Sequence, residues 1–161
     1  SFLNNKTFSM VKSKNTLSVA SFDDITIVGL CTHLPDYQVA WYLNKQIGCN
    51  FLKYDDIMSE QGEEYSFYLS NDESDYNTFN LVALSNIETR WVVFSPPTDY
   101  LLIIRNYFDN EKFAHLVERL RAVPDIIAVY QIDLSRNKLL NSILEDIEMH
   151  EMWVLSKDMG E

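Results

Sequence analysis

The sequence predicts an α+β domain: a mainly antiparallel sheet with two helices packed on one face, followed by a C-terminal helix. Three observations carry that expectation. Short apolar runs over 25–30, 100–104 and 126–132 read as strands. Two stretches, 35–48 and 109–123, repeat apolar residues at helical spacing, the second at i, i+3, i+4 and i+7, the stripe of a helix with one buried side. Between them Tyr65, Phe67 and Leu69 alternate with Ser66, Tyr68 and Ser70, the period of a half-buried strand.

In chain order, residues 1–16 are polar and aperiodic, a loose segment. Met10 offers a natural start, which would make the first nine residues an extension. Leu17–Phe22 is expected as a short edge strand and Ile25–Leu30 as a stronger one, with Gly29 allowing close backbone approach. Pro35 and Asp36 suit the first turn of a helix, because proline has no amide to leave unpaired and an acid favours the positive end. Val39, Tyr42, Leu43 and Ile47 form its stripe, and Gly48 is the expected stop. Phe51–Tyr54 begins a strand, and Asp55–Glu64 reads as an acidic loop around Gly62. A hairpin follows, through the turn residues Asn71-Asp72-Glu73-Ser74-Asp75 and back along Phe79, Leu81 and Ala83. Trp91–Phe94 reads as one more short strand, ended by Ser95-Pro96-Pro97, whose prolines donate no backbone hydrogen bond.

The tightest unit is Asp99–Asp133. Tyr100-Leu101-Leu102-Ile103-Ile104 is a strand apolar on both sides. Asp109 or Asn110 caps a helix with Phe113, Leu116, Val117 and Leu120 on its stripe, Pro124 stops it, and Ile126–Ile132 returns as a strand. From Ser135 to about Met152 the pattern is helical, with Leu140, Ile143, Leu144 and Ile147 on one side. The order is similar to a ferredoxin-like βαββαβ core with an extra hairpin in the middle, a plan shared by regulatory domains of the ACT type. The organisation expected is a loose segment over 1–16, one domain over 17–134, and the C-terminal helix and tail over 135–161.

Composition removes several function classes. Folding 161 residues buries about 70% of the extended-chain surface, enough for a core without staples. Acids outnumber bases 24 to 13, giving a net charge of −11, and that field repels phosphate backbones and anionic headgroups. No nucleic-acid or membrane partner is therefore expected. The acidity suits a basic partner or simple solvation. Two cysteines, Cys31 and Cys49, are too few for a disulfide framework and read as buried free thiols in a reducing, cytoplasmic setting.

The chemistry-bearing motifs are missing. Four scattered glycines can write neither a P-loop nor a dinucleotide fingerprint. His33, His115 and His150 share no helical turn, and Val154 stands where a zincin helix would need its second histidine. Cys31 and His33, two apart on a strand, are weighed as a coordination pair and read as a thiol with a neighbouring loop histidine. The acid run 72–75 lacks the glycine and downstream glutamate of an EF-hand, and Asn5-Lys6-Thr7 matches a glycosylation sequon by chance. The pairs Asp23-Asp24 and Asp55-Asp56 point to opposite sides of an extended chain and cannot share a substrate. No catalytic residue, metal or cofactor is assigned.

Three features are candidates for binding. Tyr37 and Trp41 lie one turn apart on the first helix, off its buried stripe. Asp99 and Tyr100 follow the Pro-Pro break, where a carboxylate caps a turn or faces a groove, the cap being preferred. The C-terminal helix either docks on its own domain or pairs with another copy.

The segments Asp36-Tyr37-Gln38-Val39-Ala40-Trp41-Tyr42-Leu43-Asn44, Tyr65-Ser66-Phe67-Tyr68, Thr98-Asp99-Tyr100, Leu120-Arg121-Ala122-Val123-Pro124 and Tyr130-Gln131-Ile132-Asp133 resemble the IPExxxVDY family of small bacterial proteins, over roughly Met10 to Asp133. Of the naming motif Asp99 and Tyr100 stand, while Val92-Val93-Phe94 occupies the Ile-Pro-Glu place and Thr98 that of the valine. The resemblance implies a bacterial intracellular protein of Bacteroidetes type and no established activity. The function expected is a non-catalytic interaction module that self-associates through a sheet edge or the C-terminal helix. The alternatives are a small-ligand-sensing regulatory domain with a pocket near Trp41, Asp99 and Tyr100, and an enzyme using Asp99 or Asp36.

Overall fold

A computed structural model of the chain describes residues 24–71 and 76–160. The expected segment over 1–16, the strand at 17–22 and the turn residues 72–75 lie outside them. Six strands form one sheet: β1 (Ile25–Thr32), β2 (Leu52–Met58), β3 (Glu64–Ser70), β4 (Thr78–Ala83), β5 (Tyr100–Arg105) and β6 (Ile126–Gln131). The helices are α1 (Asp36–Ile47), α2 (Asn110–Arg121) and α3 (Lys138–Gly160). Every neighbouring pair is antiparallel, and the order across the sheet is β2-β3-β4-β5-β1-β6. The α+β class therefore holds. The strand order is not ferredoxin-like, because β2 and β3 carry the sheet two strands past β4.

Helices cover both faces. Val39, Leu43, Leu116 and Leu120 from α1 and α2 pack on Val28, Leu30, Leu81, Leu102 and Ile104. On the other face Leu140, Ile143, Leu144 and Ile147 of α3 meet Ile27, Phe67, Leu69, Leu101 and Ile103. The C-terminal helix thus docks on its own sheet. Cover on both sides is why β5 is an unbroken apolar run. It also corrects β3, expected to be half-buried: Tyr68 and Ser70 are buried beneath the α1 side as well.

The local signals act as read. Pro35 precedes α1, its carbonyl accepting from the amides of Gln38 and Val39 at 3.1 Å. Gly48, at φ 74°, ends the helix in a conformation that costs other residues strain. Asp109 caps α2, its Oδ1 accepting from the Lys112 amide at 2.9 Å.

Three boundaries move. Asp55 and Asp56, expected in a loop, lie inside β2. This strand is an edge that neither helix layer fully covers, and charge on an edge deters pairing with other chains. Their opposite aim is kept: Asp55 Oδ2 meets Lys157 of α3 at 3.0 Å, whereas Asp56 faces Lys53 on the α1 side at 3.9 Å. Trp91–Phe94 is loop, held at its start by the Trp91 amide donating to the Leu84 carbonyl at 2.8 Å, next to the isolated bridge between Ser85 and Arg90. Val92 and Phe94 are apolar because they plug the core below α3. Finally, α3 begins at Lys138, after a 3-10 turn over Leu134–Arg136, and continues to Gly160, since buried Val154 prolongs its stripe past Met152.

Beside the contacts of Lys157 and His150 with Asp55 on the β2 edge, the α3 interface holds a more buried polar group. Arg105 Nε donates to Glu151 Oε1 at 2.9 Å and its Nη1 to Glu148 Oε2 at 3.4 Å, while fully buried Asn80 donates Nδ2 to the same Glu151 oxygen at 2.9 Å. Asn80 Oδ1 and Arg105 Nη2 are buried without a hydrogen-bond partner.

Candidate functional site

Where β1 ends and α1 begins, the sheet opens into a cleft of about 610 Å³. Its walls come from the strand ends: Thr32 to Asp36 on one side, Asp56, Glu64 and Ser66 on another, and the 85–90 loop with Asp99 and Tyr100 closing the rest. The topology dictates this meeting. β1 pairs with β5, so the end of the first strand lies beside the start of the fifth, with Leu30 opposite Tyr100.

Asp99 ties three segments together. Its Oδ2 accepts from the Thr32 amide at 2.9 Å, its Oδ1 from Arg90 Nη2 at 3.0 Å, and its own amide donates to the Leu30 carbonyl at 2.8 Å. Arg90 also donates Nη1 to the Thr98 carbonyl at 2.9 Å. The carboxylate thus holds the end of β1 and Arg90, not a turn at the entry of its own strand, and it lines the groove. Tyr100 is buried, and its hydroxyl donates to the Leu34 carbonyl at 2.7 Å.

Across the cleft, Asp36 is the second hub. Its Oδ2 accepts from Lys53 Nζ at 3.1 Å and from the Tyr68 hydroxyl at 3.0 Å, and its Oδ1 accepts from the Tyr37 amide at 2.8 Å. Burial alone would raise this carboxyl, but hydrogen bonds from Ser66, Lys53 and Tyr68 hold it below the ordinary aspartate range. Burial and the nearby Asp36 charge push the Tyr68 and Tyr100 phenols up. Beside the cleft, burial and then Asp99 raise the Cys31 thiol.

Of the four residues singled out in the sequence, the cleft gathers Asp99 and Tyr100 and leaves out Tyr37 and Trp41. Those two are 64% and 53% exposed on the outer side of α1, as their place off the stripe implied. Trp41 is covered in part by Lys45, whose Nζ lies 4.9 Å from the ring centre, and it meets Tyr42 edge-on at 5.0 Å. A pocket shared by Trp41 and Asp99 is not formed. The sequence did not mark Arg90, Ser66 and Asp56 as wall residues or Tyr68 as a partner of Asp36, and it marked Asp36 chiefly as a first-turn acid. None has a local signal, since each arrives through strand register. Among the described residues no three His, Cys, Asp or Glu side chains converge as a metal site, so Cys31 and His33 gain no third ligand.

The two sheet edges differ in charge, while each has a register irregularity, on β6 at Ile127. β2 carries Lys53, Asp55 and Asp56 and an irregularity between Tyr54 and Ile57. β6 reads Ile126-Ile127-Ala128-Val129-Tyr130-Gln131, with no charge and no proline, and Ile127 and Ala128 are exposed. Beyond it no strand stands among the described residues. One carbonyl, that of Val129, accepts from Arg121 Nη2 at 3.0 Å. Also among the described residues, no helix is long and apolar enough to cross a membrane. No family model, curated protein or solved structure matches this chain.

Proposed function

We propose that this chain is a non-catalytic interaction module that pairs with a second copy through β6, as a member of the family it resembles. The observation that carries the reading is the contrast of edges in charge: Lys53, Asp55 and Asp56 guard β2, whereas β6 has no charged residue, although both edges carry a register irregularity. An unguarded edge offers amides and carbonyls to another strand, and two antiparallel copies of one strand satisfy each other about a two-fold axis. In and beside the cleft Asp36 is lowered and Tyr68, Tyr100 and Cys31 are raised. A raised thiol is a poor source of thiolate, which argues against Cys31 as a nucleophile.

Light scattering coupled to size exclusion tests the assembly. At about 100 µM, a hundredfold above a Kd of ~1 µM, the chain is expected to elute as a dimer. Ile127→Lys should return it to monomer, while Leu52→Lys on the β2 edge should leave the dimer intact; both positions are exposed, so neither change disturbs the core. A monomeric parent, or a dimer indifferent to Ile127→Lys, would remove the proposal. The latter result would place the interface between copies away from β6.

A second reading, a small-ligand-sensing domain akin in plan to the ACT type, is favoured by the cleft itself. Four acids line it against Arg90 and His33, which suits an amine. A ligand at a hundred times its Kd adds about 2.7 kcal/mol of stability, so a thermal-shift screen of amino acids and polyamines without any upward shift rejects this reading.

A further inference from the structure

A second cleft, of about 540 Å³, lies between the end of α1, the outer flank of α2 and the start of β4. Its lining reverses the charge of the chain. Lys112, His115 and Arg119 contribute three bases and the lining holds no acid, in a protein with 24 acids to 13 bases. The three stand at i, i+3 and i+7 of α2, so they share one side of the helix above buried Leu116. Among the described residues neither Lys112 nor Arg119 takes part in an ion pair, and His115 pairs with Glu118, at 3.9 Å between two exposed side chains. In a field of net −11, cations left unneutralised on one wall form a local positive site that fixed acids elsewhere do not cancel at short range.

The opposite wall is aromatic and held in place. Phe79 and Phe108 pack edge-to-face with centres 6.2 Å apart, and Phe79 packs likewise on Phe51 at 6.5 Å. Buried Asn77 fixes the loop that carries Phe108: its Nδ2 donates to the carbonyls of Arg105, Asn106 and Tyr107 at 2.8, 3.2 and 3.1 Å. Asn106 returns a bond to the Tyr76 carbonyl at 3.0 Å. The wall is therefore preformed, and a flat ligand pays little to order it.

We propose that this cleft binds a small oxyanion carried on a flat apolar body, with the anion between Lys112 and Arg119 and the body against Phe79 and Phe108. The inference does not rest on pairing through β6, because the cleft is built within one chain. Concave sites of this size with an apolar floor and a few convergent charges are the usual form of small-molecule pockets.

The test uses the 161-residue chain, 15N-labelled, titrated with 2-naphthoate, 2-naphthyl phosphate, 2-naphthalenemethanol and inorganic phosphate. Naphthoate or naphthyl phosphate is expected to shift amides of 47–49, 76–79 and 108–119, and whichever binds tighter identifies the anion as carboxylate or phosphate. Naphthalenemethanol and inorganic phosphate should each bind at least tenfold more weakly, about 1.4 kcal/mol apiece. The double variant Lys112→Gln/Arg119→Gln, exposed at both positions, should retain the parent melting temperature and lose at least tenfold in affinity for the anionic probe. Equal binding of the neutral and anionic probes would show a greasy surface and overturn the proposal, as would shifts outside the cleft or an affinity unchanged in the double variant. Dimerisation is read separately by light scattering, so failure here and failure of the β6 pairing are told apart.

Discussion

The two faces of the sheet are buried to the same depth by different means. Beneath α1 and α2 the contact is mainly apolar side chain on apolar side chain, from Val28 to Leu120, its polar groups neutral (Asn44 on the Phe51 backbone, Ser70 on the Asn50 amide) apart from Asp36 and Asp99 at the rim. Beneath α3 an equally apolar field is interrupted by Arg105, Asn80, Glu148 and Glu151. Apolar burial is non-directional and fixes little beyond proximity. A guanidinium shared by two carboxylates is directional, and it fixes how far α3 sits along β5. The difference teaches that α1 and α2, each tied closely to neighbouring strands by short loops, need no such pin, whereas a 23-residue helix at the end of the chain does.

Removing the pin should have the largest effect. Arg105→Ala leaves Glu151 and Glu148 partly buried without their cation, a loss of about 3–5 kcal/mol. For a chain of this length that is a fall of roughly 10 °C in Tm, read by calorimetry. The sharper form is Arg105→Met with Glu151→Leu and Asn80→Leu. Apolar replacement of a buried ion group is often neutral, so this triple variant should recover all but about 1 kcal/mol. A triple variant less stable than Arg105→Ala would mean the group stabilises the fold outright and does more than specify it.

On the other face, Leu120→Ala should cost about 2–5 kcal/mol through lost burial and the cavity left behind. Its mark is indifference to salt, where the Arg105 variant responds because it exposes unbalanced charge to screening. If Leu120→Ala proved as salt-sensitive as Arg105→Ala, as read by urea midpoints at low and high ionic strength, the contrast between the faces would fail.

The apolar face was legible in the sequence and the polar pin was not, for a physical reason. Leu116 and Leu120 announce themselves by helical spacing, and Leu101 to Ile104 by an unbroken run, because burial repeats with the local period. Arg105 and Glu151 are 46 residues apart, and nothing in either neighbourhood says that they meet. The same limit explains the cleft. Asp99 and Tyr100 stood out beside the Pro-Pro break, and Tyr37 and Trp41 by leaving the stripe, yet only the register of β1 on β5 decides which of them share a hollow. Asp55-Asp56 was read as loop because charge is rare in buried strands. On an edge, charge is what keeps a strand solitary.

The smallest effect separates the faces by sign, through two aspartates. At the rim of the α1 side, Asp36 has its folded pKa lowered by Ser66, Lys53 and Tyr68 against the pull of burial, so the folded state binds fewer protons than the unfolded one. Its stabilisation is complete above the ordinary aspartate value of 3.8 and is lost as pH falls through the lowered one. On α3, Asp146 is raised by burial and by Glu60 and Glu145, so its ionisation opposes folding at neutral pH and that cost vanishes as pH falls. Asp36→Asn is therefore expected to lower Tm at pH 7 by removing charge-assisted hydrogen bonds worth about 1–3 kcal/mol together. Asp146→Asn should raise Tm slightly at pH 7, with the gain shrinking toward pH 4. Melting curves from pH 4 to 8 on the two variants would decide it. Parallel pH profiles would mean that the two carboxylates sense the net charge of the whole chain and not the faces on which they lie.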